Sequence, residues 1–109
     1  AVVFHSFAFG VKEAESLLSH KINGYFSFGN ALIKGNKKSL ACFEKLPLDR
    51  LLLETDAPYQ TLRGQTFTPV SQIEAIYKRA GEIRNLPLDA LCGAMKENFF
   101  AAYKGLQNF

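Results

Sequence analysis

The run Leu51-Leu52-Leu53-Glu54-Thr55-Asp56-Ala57-Pro58 places two carboxylates at the end of an apolar stretch of strand length, which a proline then stops. Three consecutive leucines suit a strand covered on both faces, as in a parallel sheet. Alternate residues of a strand share a face, so Leu52, Glu54 and Asp56 point one way and Leu51, Leu53 and Thr55 the other. An unpaired carboxylate is costly to bury. Acids at the last positions of a core strand therefore need a cation, a hydrogen-bond network or water at the strand's mouth. Asp56 is the first candidate for chemistry; the competing role is to open a turn with Ala57-Pro58.

His5 closes a second strand-like run, Ala1 to Ser6, in which Val3 and His5 share one face and Val2, Phe4 and Ser6 the other. A lone histidine is more often structural than a ligand, but the carboxyl end of a parallel strand favours a ligand. In Tyr25-Phe26-Ser27-Phe28-Gly29 the two phenylalanines suit a helix-covered face. Tyr25, Ser27 and Gly29 then line the opposite face, where the small residues leave room for a ligand; the plainer reading of Gly29-Asn30 is a turn. Lys34-Gly35-Asn36-Lys37-Lys38 is a basic turn, and Arg63 sits in the polar segment from Tyr59 to Thr68. Both are solvated surface or, beside a site, contacts for phosphate. His20 falls in the last turn of a helix and is assigned no chemistry.

Helical patterns alternate with these strands. Val11, Ala14, Leu17 and Leu18 recur at helical spacing after Gly10, and Leu40, Phe43 and Leu46 do so in a short helix from Ser39 with Asn36 as its cap. A long helix from Pro69 or Val70 to Arg84 carries Ile73, Ile76, Tyr77, Ala80 and Ile83. Pro87 then suits the first turn of a last helix from Leu88 to about Lys104, with Leu91, Met95, Phe99 and Tyr103 inward. Strand and helix alternating three times is the pattern of a parallel α/β architecture. In such folds ligands meet the carboxyl ends of the strands, where His5, Gly29 and Asp56 all fall.

With 109 residues, 48% of them hydrophobic, the chain is sized for one domain with a core. Thirteen Lys and Arg against ten Asp and Glu give a net charge of +3, compatible with a phosphate-bearing ligand without requiring one. No apolar stretch approaches the roughly 20 residues that span a bilayer and no signal-peptide pattern opens the chain, so a cytoplasmic setting without membrane contact is the expectation. Cys42 and Cys92 lack CxxC spacing and read as buried packing residues. The start at Ala1, directly on a strand and without methionine, is that of a fragment, a processed product or a partial chain.

Val3-Phe4-His5-Ser6-Phe7, Gly24 to Gly29 and Pro47 to Tyr59, followed by Arg63-Gly64, Pro69 and Asn98, together resemble the C-terminal part of the TatD family of metal-dependent deoxyribonucleases. The LLLETDAPY run is the most specific piece, and the resemblance covers nearly the whole of residues 1–109. It implies a C-terminal fragment, about three β/α units, of a TIM-type (β/α)8 barrel that hydrolyses DNA phosphodiester bonds with two divalent ions (Mg, Mn or Zn). By the same resemblance His5 and Asp56 are metal ligands, Asp56 also acts on the attacking water and Arg63 contacts substrate; Glu54, sharing the inward face with Asp56 one pleat deeper, is expected from its position to be a supporting acid.

The family's small segment after the histidine, Ser-Gly-Ser or close to it, is Ala8-Phe9-Gly10 here, and its Asn-Glu before the later proline is Phe67-Thr68. Both changes touch loops expected to face substrate. The family's HxH pair, a bridging Glu and another His belong upstream of this sequence. A complete barrel takes about 250 residues, so the remainder is expected from a missing N-terminal part or another copy of the chain, and the isolated piece is expected to be inactive. The competing functions are a related barrel hydrolase acting on a small amide or ester, and a non-catalytic half-barrel serving as a binding or assembly module.

Overall fold

The computed structural model describes residues 1–5, 7–54 and 70–104, the side chains of 70 and 71 excepted. The three apolar runs form strands β1 (Val2–Phe4), β2 (Gly24–Phe28) and β3 (Leu51–Leu53). They make one parallel sheet in the order β1-β2-β3, with Val3 level with Tyr25 and Ser27 level with Leu52. Parallel neighbours need a long return path, and helices supply it. These are α1 (Val11–Ser19) between β1 and β2, then α2 (Asn30–Lys34) and α3 (Lys37–Lys45) between β2 and β3. A single 3-10 turn, Leu48–Arg50, leads into β3; α4 (Val70–Arg84) and α5 (Leu88–Tyr103) follow it. This is the α/β arrangement expected from the sequence, three parallel β/α units of the barrel fold.

The pleat divides the strand residues as their alternation predicts. Phe26, Phe28 and Leu51 are buried with Leu32, Phe43 and Leu91 in the core between sheet and helices. Phenylalanine fills much of that layer. Phe4 stacks on Phe26 at 5.3 Å between ring centroids, while Phe28 meets Phe43 edge-on at 5.6 Å. On the other face Tyr25 and Leu52 pack with Ala102, Val3 and Tyr103. The last turn of α5 therefore reaches the face of the sheet opposite the main core.

Polar side chains fasten the helices to the sheet. Asn36 caps α3 by accepting the Ser39 amide at 3.0 Å, as its position predicts. Arg84, the last residue of α4, donates from Nη1 to the carbonyls of Phe43, Glu44 and Leu46 and so satisfies the exposed acceptors at the end of α3. Asn98 is buried and gives both Nδ2 hydrogens away, to Leu48 O at 2.8 Å and Leu51 O at 2.7 Å. That amide ties α5 to the entry of β3.

Four expectations from the sequence need correction. The segment after Gly29 is helix α2 rather than a simple turn; five residues are too few to show amphipathic periodicity, and the helix ends on Gly35 in the left-handed region at φ 76°. In α5 the buried stripe is Leu91, Met95, Asn98 and Ala102, leaving Phe99 about half exposed, because a doubly satisfied amide takes the inward place. Ile73 is likewise exposed, since the inward stripe of α4 runs through Gln72, Ile76 and Ala80. Cys42 is buried as expected, whereas Cys92 is exposed. Among the described residues no helix is long and apolar enough to cross a membrane.

Candidate metal centre

Three parallel strands deliver their last residues to one end of the sheet, and the ladder of hydrogen bonds continues a little past the strands there. Phe7 N donates to Ser27 O at 3.1 Å and Glu54 N to Phe28 O at 2.9 Å. These contacts carry His5 and Glu54, 49 residues apart in sequence, to a distance of 2.8 Å between Nδ1 and Oε2. An ionised carboxylate only accepts, so Nδ1 carries the hydrogen and donates it, which leaves the lone pair of the neutral ring on Nε2. The Glu54 side chain is 15% exposed and that of His5 60%, so the carboxylate is recessed and the imidazole open to solvent.

Gly29 explains how the two strand ends come so close. A Cβ at this position would lie 2.6 Å from the Glu54 carbonyl oxygen, inside any real contact, and 3.7 Å from Glu54 Cγ. The absent side chain makes room for the acid's own backbone rather than for a ligand. Gly29→Ala is expected to displace Glu54 and cost about 1–3 kcal/mol, the usual penalty for overpacking. A urea melt that matches the wild type would contradict this.

Two buried amides join the exit of β2 to the first turn of α4. Gln72 Nε2 donates to Asn30 Oδ1 at 2.7 Å, while Asn30 Nδ2 and Gln72 Oε1 have no hydrogen-bond partner among the described residues. Neither residue stands out in the periodicity of its segment. Cys42 Sγ donates to Phe9 O at 3.4 Å. Burial, with Glu13 and Glu15 adding negative charge, pushes the Cys42 thiol up and keeps it protonated. The Tyr77 hydroxyl is also pushed up, chiefly by burial and then by Cys92.

His5 and Glu54 are the predicted site residues that the structure brings together. Asp56 and Arg63 lie outside the described residues, as do Phe67 and Thr68. Lys34, Lys37 and Lys38 are exposed, at the end of α2 and the start of α3. From the His5–Glu54 pair an open groove of about 1290 Å³ runs past Leu52 and Leu53 to Phe99 and Tyr103. Its walls are mostly apolar. Among the described residues no three His, Cys, Asp or Glu side chains gather as a metal cage. The donor set nevertheless suits one ligand position, because an imidazole held through Nδ1 by a carboxylate presents Nε2 in the tautomer that coordinates a cation.

A parallel sheet of β/α units with its polar pair at the carboxyl mouth places the chain in the class of barrel proteins that keep their sites at that end. Residues 1–104 match the family model described as TatD related DNase, and the chain belongs to that family. It is 29% identical over 100 residues to "Uncharacterized metal-dependent hydrolase YabD" of Bacillus subtilis (strain 168), covering 88% of this chain and 38% of that protein. The crystal structure of YjjV, a TatD homologue from Escherichia coli K12, superposes with a TM-score of 0.77 at 28% identity, over 92% of this chain and 39% of the other. An uncharacterized amidohydrolase from Saccharomyces cerevisiae superposes with a TM-score of 0.72 at 16% identity, over 89% and 38% of the two chains, and shares the fold. The chain thus spans about two fifths of the length of these relatives.

Proposed function

We propose that the chain forms part of a divalent-metal-dependent hydrolase that cleaves phosphodiester bonds in DNA, with His5 and Asp56 as metal ligands. The observation that carries this reading is the 2.8 Å contact of His5 Nδ1 with Glu54 at the carboxyl end of a parallel sheet. Family membership supports it, as does the printed name of the Bacillus relative. When bound, two divalent ions (Mg, Mn or Zn) would lower the pKa of water and hold the charge that develops on phosphoryl oxygens.

The chain's own residues divide the remaining work. Glu54 fixes the His5 tautomer and ring orientation from a recessed position. Asp56, two residues after Glu54 in the sequence, takes the proton of the attacking water. Arg63 and the exposed Lys34, Lys37 and Lys38 hold substrate phosphates. The other ligands come from further β/α units that pair with the outer strands β1 and β3 and complete the barrel, supplied by an N-terminal part of the protein or by another copy.

The test uses the full-length protein on DNA, on an activated phosphodiester, and on small ester and amide substrates, with Mg²⁺, Mn²⁺ or Zn²⁺ and with a chelator. Hydrolysis of both phosphodiesters that stops on chelation is expected. Turnover confined to esters or amides would overturn the substrate class.

A further inference from the structure

Asn30, the first residue of α2, is 4% exposed, and Gln72, in the first turn of α4, 3%. One hydrogen bond joins these amides, from Gln72 Nε2 to Asn30 Oδ1, and their other polar atoms find no partner among the described residues. Turning both amides over exchanges donor and acceptor but again leaves one bond and two unpaired atoms; turning one over sets like against like. Apolar side chains of the same shape would therefore serve stability as well or better. What the amides add is direction. A hydrogen bond weakens steeply when its length or angle changes, whereas apolar contact is non-directional.

The place that this bond fixes adjoins the support of His5. Asn30 follows Gly29 in the chain, and Gly29 is seated so close to Glu54 that a Cβ there would meet the Glu54 carbonyl oxygen at 2.6 Å. Glu54 N donates to Phe28 O, and the Glu54 carboxylate accepts from His5. A shift of the β2 exit is thus passed to Glu54 by backbone contact at Gly29. Asn30 restrains the same exit through α4, which packs against α2. Gly29 and Asn30 in this way touch the chain on both sides of residues 55–69, at Glu54 before them and at Gln72 after them.

We infer that Asn30 and Gln72 are positioning residues, whose hydrogen bond holds the exit of β2 against α4 and so sets the place of Glu54 behind His5, at a cost in stability. The inference rests on the metal-site reading above and deepens it, since it extends the support of His5 from Glu54 back to α4.

The experiment compares wild type, Asn30→Leu, Gln72→Met and the double variant in the full-length protein, each replacement being close in shape to the amide it removes. Melting and hydrogen exchange of the Glu54 amide are measured without metal, and affinity for Mn²⁺ by calorimetry. Either single variant strands the remaining amide and should lower the melting temperature by about 2–12 °C, whereas the double variant should melt above both. Position should not recover with it. The Glu54 amide should exchange about 2- to 12-fold faster than in the wild type, the worth of one hydrogen bond, in the single and double variants alike. Affinity for Mn²⁺ should fall about 10-fold in all three, the lower end of the loss for a partner behind a ligating histidine. Because both residues act through one bond, the double variant should lose no more affinity than either single one. A double variant with wild-type exchange at Glu54 or wild-type Mn²⁺ affinity would show that the pair only packs and would overturn the inference, as would one that melts no higher than the single variants. If the wild type binds no Mn²⁺, or His5→Ala binds it as tightly, the metal-site reading fails, and exchange at Glu54 still decides whether Asn30 and Gln72 hold it.

Discussion

Asp56→Asn in the full-length protein is expected to lower DNA turnover by about two to four powers of ten, the range over which a positioned acid or base acts, and to weaken metal binding as well. The substitution keeps size and hydrogen-bonding shape but removes the charge that would hold a cation and accept the proton of water. The 109-residue chain alone is expected to show no measurable turnover, even though it carries both His5 and Asp56. A site with two cations needs several fixed ligands, and among the described residues no cluster of three metal-ligating side chains is present. The two proposed ligands on the three described strands would leave the attacking water unoriented, and lost positioning alone costs several powers of ten in rate. Assays on single- and double-stranded DNA with Mg²⁺ or Mn²⁺ check both statements. Robust turnover by the short chain, unchanged in Asp56→Asn, would remove the ground for the site assignment.

The strands and most helices were legible because their signals are local. Alternation in Tyr25 to Phe28 predicts which residues face the helices, and Phe26 and Phe28 are indeed in the main core while Tyr25 packs on the other face. The leucine run at 51–53 reads as a doubly covered strand and is one. What failed was decided by tertiary contacts that no window of sequence contains. Asn98 displaces Phe99 from the inward stripe of α5 because two carbonyls, of Leu48 and Leu51, wait for its amide. Gly29 reads equally as a turn former or as space for a ligand, and only the approach of the Glu54 carbonyl gives the actual reason.

The site was legible to the same degree. Parallel topology predicts that His5 and the acids of the LLLETDAPY run meet at one end, and Glu54 does meet His5 there. Which acid touches the imidazole depends on strand register and on the reach of each side chain. Phe4, Phe26 and Leu51 stand level across the sheet, a register that follows from how the intervening helices pack and not from the strands alone.

Glu54→Gln and Glu54→Leu are expected to separate the two things that this carboxylate does for His5. Glutamine can still accept from Nδ1–H and keep the tautomer, but without the charge that raises the basicity of Nε2. Leucine removes the acceptor altogether and leaves the ring free to rotate or to exchange tautomers. Metal affinity should therefore fall in the order wild type, glutamine, leucine, within the roughly 10- to 100-fold loss that follows removal of a partner behind a ligating histidine. Because Glu54 is recessed behind the more open His5, the ratio of rates on different DNA substrates should change little while the metal concentration needed for activity rises. Calorimetric titration with Mn²⁺ or Zn²⁺, read beside a thermal melt of each metal-free variant, distinguishes loss of the ligand from loss of the fold. Wild-type metal affinity and wild-type melting in both variants would mean that the 2.8 Å contact between Glu54 and His5 orients nothing.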